Sequence, residues 1–144
     1  MKREKLTKSY LESIGIISVD QYADGLWSVT RRTATRSGGS RTSQIMPRIN
    51  NGTYTVYLMI RDKVRSFQLA RIVYAWHFSD VLPDEEVCFV DGDPLHVFLG
   101  NLKKMGQKEA VRYRKRSDED IAADVSSSGS EAIVYLMSRK ASGD

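Results

Sequence analysis

Val87-Cys88-Phe89-Val90-Asp91-Gly92-Asp93-Pro94-Leu95, followed by Asn101-Leu102, is the stretch on which the fold turns. Val87 to Val90 is a short apolar run of the kind a buried strand presents. Asp91-Gly92-Asp93-Pro94 then supplies a tight loop, because glycine tolerates backbone angles other residues avoid and the carboxylates can hydrogen-bond the turn around it. Phe98 to Leu102 reads as a helical turn or irregular segment leading into Lys103-Lys104-Met105. A helix is expected from about Gln107 to Arg116, with Lys108, Arg112 and Lys115 on one face at i, i+4 and i+7. That face is a candidate phosphate rail.

Upstream, Asn51-Gly52 is the strongest hairpin signal, since both residues accept the positive φ angles of a type I′ turn. It predicts that Gln44 to Ile49 pairs with Thr53 to Ile60, after which Arg61-Asp62-Lys63 turns into Val64 to Leu69, giving a three-stranded antiparallel meander. Tyr54 and Tyr57 on those strands are expected to pack across strands rather than stack on bases. Ala70 to Phe78 has helical spacing, with Ile72, Val73, Trp76 and Leu69 as its buried stripe. Pro83-Asp84-Glu85-Glu86 is expected as a turn. Nearer the start, Glu4 to Ser13 has helical spacing ended by Gly15, and Ile16 to Val19 and Leu26 to Thr30 look like short strands around Ala23-Asp24-Gly25. Thr33 to Thr42 is rich in Ser, Thr, Gly and Arg and is expected as a mobile basic loop.

The chain has 144 residues, 41% of them hydrophobic, which suits one domain with short appendages. No apolar run approaches membrane-spanning length, so the expectation is a cytoplasmic protein, with no membrane partner. Cys88 is the single cysteine, which excludes an internal disulfide and favours a packed thiol. The net charge is +4 and the pI about 9.2, and the charge is zoned. Nine basic residues fall between Arg31 and Arg71 (Arg31, Arg32, Arg36, Arg41, Arg48, Arg61, Lys63, Arg65, Arg71) against one acid, Asp62. Seven more fall between Lys103 and Arg116, while acids collect at Asp80 to Asp93 and Asp118 to Asp124. Arginine-rich zones of this kind suit phosphate and base-edge hydrogen bonds.

The order of these elements, with Leu26-Trp27-Ser28-Val29, Tyr54-Thr55-Val56-Tyr57-Leu58, Ala70-Arg71-Ile72-Val73, Asp91-Gly92-Asp93-Pro94-Leu95, Asn101-Leu102 and Glu109-Ala110, resembles the HNH endonucleases of phages and mobile elements over residues 25 to 116. The resemblance implies a ββα-metal core. It also implies that Cys88 stands where an active member has a metal ligand, Phe89 where it has the histidine that deprotonates water, and Ala110 where a helix supplies a second ligand. Phenylalanine cannot accept a proton and alanine cannot coordinate, and loss of a general base alone forfeits about 10²- to 10⁴-fold in rate. His96, in the loop, is the fallback candidate base. A zinc site of Cys88, His77 and His96 has no recognised ligand spacing and is set aside.

The expected protein is therefore α+β: an antiparallel β-meander and helix leading into a degenerate HNH ββα core, with a short helical C-terminal tail. Residues 1–24 would form an N-terminal helix and strand, 25–116 the HNH-like domain, and 117–144 a tail that is either a truncated helix-turn-helix or an oligomerisation element, leaving a homodimer open. Its expected function is non-cleaving, sequence-specific binding of double-stranded DNA by site occupancy, as a repressor or a competitor of a nuclease, without cofactor or metal and associated with the nucleoid through DNA. Contacts are expected from Arg31, Arg32, Arg36, Arg41, Arg48, Arg61, Lys63, Arg65, Lys108, Arg112 and Lys115. The alternatives are a divergent metal-dependent nickase using His96, Asp91 or Asp93, and a module that docks an acidic protein.

Overall fold

A computed structural model describes residues 5–127. It shows an α+β chain whose contacts divide into two units, one ending at Pro83 and one starting at Asp84, a boundary inside the 25–116 span of the resemblance. No helix among the described residues is long and apolar enough to cross a membrane.

In the first unit, α1 covers Lys8–Ser13, capped by Thr7, whose hydroxyl accepts a hydrogen bond from Tyr10 N at 2.9 Å. The helix is shorter than its spacing suggests because Leu6 instead bridges to Val81 in extended form, each N–H donating to the other's carbonyl at 2.8 Å. Strands β1 (Ile16–Gln21), β2 (Trp27–Ala34) and β3 (Ser40–Ile45) form one antiparallel sheet in that order. Half of the expected mobile loop, Thr33, Ala34 and Ser40 to Thr42, is thus strand. Thr30, Thr33 and Thr42 favour extended backbone. The chain reverses at Gly38 (φ +86°), where Thr35 N donates to Gly39 O and Gly38 N to Thr35 O.

A second antiparallel sheet contains β4 (Arg48–Asn50), β5 (Thr53–Ile60) and β6 (Lys63–Gln68). Asn51 and Gly52 have φ of +52° and +78°, as the type I′ hairpin requires, and Arg61 and Asp62 turn the next one with φ of +52° and +65°. Gln44 and Ile45 belong to β3 rather than to the meander. Pro47 interrupts the run, since it has no N–H for a ladder. Tyr57 is exposed and its hydroxyl accepts from Asn50 Nδ2 at 3.0 Å.

Helix α2 (Leu69–His77) packs on β5, β6, β1 and α1. Leu69, Ile72 and Val73 are fully buried with Leu11, Ile16, Val19, Val29, Val56, Leu58 and Val81. Burial of each such side chain contributes about 1.5–3 kcal/mol. Trp76 is only half-buried, at the edge of that stripe. Arg71 is buried, and its Nη2 donates to Leu82 O at 3.2 Å, so it belongs to the interior and not to the basic surface.

The second unit runs β7 (Glu85–Phe89), a loop, a 3₁₀ turn (Leu99–Asn101), β8 (Leu102–Gly106), α3 (Gln107–Arg114) and α4 (Asp118–Ser127). The two strands pair antiparallel from Glu85 opposite Gly106 to Phe89 opposite Leu102, and α3 packs on β7 and β8. Glu85 and Glu86 therefore already lie in a strand rather than a turn, tied to β8 by the Lys104–Glu85 pair at 3.6 Å. The proposed second helical start at Ser130 and the stripe Ala132, Ile133, Leu136 and Met137 lie outside the described residues.

Candidate nucleic-acid interface

The first unit carries an open concavity of about 950 Å³ assembled from three separated stretches: the exit of α1 (Tyr10, Ser13, Ile14, Gly15), β2 (Arg31, Arg32, Thr33, Ala34) and the β5–β6 hairpin (Ile60, Arg61, Lys63, Arg65). Its lining holds five cations and no carboxylate. Gly15 fixes the junction of helix and sheet. Its φ is +101°, its carbonyl accepts Arg32 N at 2.8 Å, and a Cβ there would fall 2.3 Å from Arg32 O. Arg31 is anchored from the same segment, with Nε donating to Ile14 O at 2.8 Å, and burial lowers its pKa.

Of the expected DNA contacts, the structure brings Arg31, Arg32, Arg61, Lys63 and Arg65 together here. Arg36 lies at the β2–β3 turn and Arg41 on β3 opposite Thr33. Arg48 sits apart on β4, opposite Thr55. Lys108 and Arg112 on α3, with Lys115 at its C-cap, belong to the second unit, and all three are exposed.

In that unit, Cys88 and Ala110, which the resemblance sets at ligand positions, lie in a packed cluster. Cys88, Met105 and Ala110 are buried together, and Tyr113 packs against them. Burial pushes the Cys88 thiol up, so it stays protonated and inert. Phe89, which the resemblance sets at the base position, ends β7 and pairs with Leu102. Among the described residues no group of three or more His, Cys, Asp or Glu is placed to hold a metal.

The loop after β7 is held by its own polar groups. Asp91 Oδ1 accepts Asp93 N at 2.9 Å, and Asp93 Oδ1 accepts Leu95 N at 2.9 Å, so both carboxylates secure the turn at Gly92 (φ +77°). Asn101 is fully buried: its Oδ1 accepts Asp91 N at 3.0 Å, and its Nδ2 donates to Asp91 Oδ1 at 2.9 Å and His96 O at 2.8 Å. His96 has Nδ1 2.5 Å from Asp91 Oδ2 and Nε2 3.3 Å from Asp93 Oδ2. Both ring nitrogens of His96 therefore face carboxylates of its own loop. His77 is in the first unit, beside Trp27, with Nε2 2.8 Å from Val19 O.

Arg116 is the residue that sequence reasoning missed as a structural part. It stacks on Tyr113 (3.5 Å to the ring centroid), donates to Tyr113 O, Phe89 O and Val90 O, and pairs with Asp124. Its position in a basic run hid this. The Ser117-Asp118-Glu119-Asp120 helix start that follows was the one available hint. Arg114 pairs with Glu86 at 2.5 Å, which raises the guanidinium's pKa.

Comparison with protein-family models, with curated proteins and with solved structures finds no match for the chain.

Proposed function

We propose that this protein binds double-stranded DNA without cutting it, on a scaffold derived from an HNH nuclease whose chemistry has been lost. The observation that carries the reading is the concavity in which Arg31, Arg32, Arg61, Lys63 and Arg65 converge with no carboxylate among its lining residues. Phosphates are the ligands such a cluster suits, and guanidinium forks hold them in defined orientations. Support for the lost chemistry comes from the strand–loop–strand–helix order of the second unit, with Cys88 and Ala110 buried against Met105. Lys108, Arg112 and Lys115 add exposed cations on and just after α3. Site occupancy is the simplest use of a non-cleaving binder, as a repressor or as a competitor of an active nuclease.

Titration of labelled duplex DNA over a range of salt tests this. Each neutralised phosphate contributes about −0.9 to the slope of log K against log salt. Replacing Arg61, Lys63 and Arg65 by Ala should therefore flatten the slope by about 3 and weaken all sequences alike. A flat slope for the intact protein, or preference for acidic proteins over duplex DNA, would refute DNA as the ligand. Incubation with supercoiled plasmid and Mg²⁺ or Mn²⁺ tests the other half. Nicking that disappears with His96→Ala would establish the nickase alternative instead.

A further inference from the structure

We infer that the β2–β3 hairpin is a reading ribbon that enters the major groove, while the concavity at its base grips the backbone; this rests on the DNA-binding reading above. The third strand of the sheet pairs with β2 only as far as Ile16 opposite Arg31, and Gly15 O takes the N–H of Arg32. Beyond that point β2 and β3 continue as two strands alone, with Arg32 opposite Thr42, Thr33 opposite Arg41 and Ala34 opposite Ser40.

This outer part is unlike a strand pair that packs on a core. Every residue from Arg36 to Gln44 is exposed, and the segment 32–44 has no aromatic, no large aliphatic and no acidic side chain. It is slim and carries only the charges of Arg32, Arg36 and Arg41. Arg41 projects on the face opposite to Arg32, because paired and alternate residues fix the two faces of a ribbon, and Arg36 sits at the turn.

Its dimensions choose the groove. Two strands spaced by about 4.8 Å, with short side chains, fit a major groove about 12 Å wide and not a minor groove about 6 Å wide. From Arg32 to the tip the ribbon extends roughly 15 Å at about 3.3 Å per residue, more than the groove's depth of about 8.5 Å. Arg32, Thr33 and Ala34 at the ribbon's base also line the concavity. Phosphates held by Arg31, Arg61, Lys63 and Arg65 would therefore lie beside the point where the ribbon leaves the sheet. Arginine at the tip and on one face suits the O6 and N7 of guanine, which accept two parallel hydrogen bonds, and the hydroxyls of Ser40, Thr42 and Ser43 can pair with either edge type.

The test is selection of a preferred duplex by the full chain, followed by methylation interference with dimethyl sulfate. The reagent marks guanine N7 in the major groove and adenine N3 in the minor groove. Interference at one or more guanines is expected, to be lost in Arg36→Ala or Arg41→Ala together with about tenfold or more of the preference over random duplex. Arg36→Lys and Arg41→Lys keep the charge without the fork, so they should retain random-duplex affinity and salt slope yet lose the guanine signal. All these side chains are exposed, and unchanged thermal melting will confirm that the variants fold. Interference confined to adenine, or alanine variants that weaken every sequence equally, would overturn the ribbon as a reader while leaving DNA binding intact. Absence of any duplex binding by the intact chain would overturn both.

Discussion

Replacing Asn101 should unfasten the loop that joins β7 to β8. The side chain is fully buried and makes three hydrogen bonds, to Asp91 N, Asp91 Oδ1 and His96 O. Asn101→Ala removes all three and leaves their partners short. A buried group stranded in this way costs about 1–3 kcal/mol, and water can replace little of what is lost, since the side chains of Asp91 and His96 are only 10% and 18% exposed. The net expectation is a loss of about 2–4 kcal/mol. Asn101→Asp has nearly the same shape and should be worse at neutral pH, because a carboxylate cannot donate and would face Asp91 Oδ1, now 2.9 Å from the amide nitrogen. The deficit of Asn101→Asp relative to Asn101→Ala should shrink as pH falls into the carboxylate range and the new group is neutralised. Thermal and urea melts of the three proteins at pH 7 and pH 4.5, read with a probe in the second unit, decide it. A loss under about 0.5 kcal/mol for Asn101→Ala, or an Asn101→Asp protein as stable as the parent at pH 7, would show that the loop does not depend on this amide.

Three further outcomes are expected. Ser28 has a buried hydroxyl with no hydrogen-bond partner among the described residues, so Ser28→Ala should leave stability unchanged or raise it by about 1 kcal/mol in a denaturant melt. Gly15→Ala should cost about 1–3 kcal/mol, because its φ of +101° and the Arg32 carbonyl both exclude a side chain; a parent-like melt would contradict this. Burial raises the pKa of Cys88, so the folded state favours the neutral thiol. That stability is fully present below the ordinary thiol pKa of about 8.5 and is lost as pH rises through the higher folded value; Cys88→Ala should remove this part of the alkaline decline, leaving the part from Tyr113, whose pKa is also raised by burial.

Local signals in the sequence carried much of the fold. Asn51-Gly52 marked its hairpin because few residues reach those angles, and Ile72 and Val73 marked the buried side of α2 because helical spacing separates core from surface. Asp91 and Asp93 were legible as turn residues for the same local reason. The arginine ribbon was not, since Thr33 to Thr42 has no apolar alternation and its strand character comes from continuing the β2–β3 ladder. Arg71 looked like surface charge because nothing local says that a helix will be covered around Leu82. The concavity was visible only as a bias in charge, since its lining comes from residues 10–15, 31–34 and 60–65, brought together by the fold.

Gathering five cations around one concavity also acts on the protein when nothing is bound. Like charges repel over about 8–10 Å at ordinary ionic strength and farther in dilute buffer, so the unliganded first unit should be least stable when salt is low. Added salt should then raise its melting temperature while, on the proposed DNA-binding reading, weakening the grip on a duplex, so that the two properties move in opposite directions along one axis. A polyanion relieves the same repulsion by binding, and the protein should therefore be most resistant to unfolding when purified together with nucleic acid.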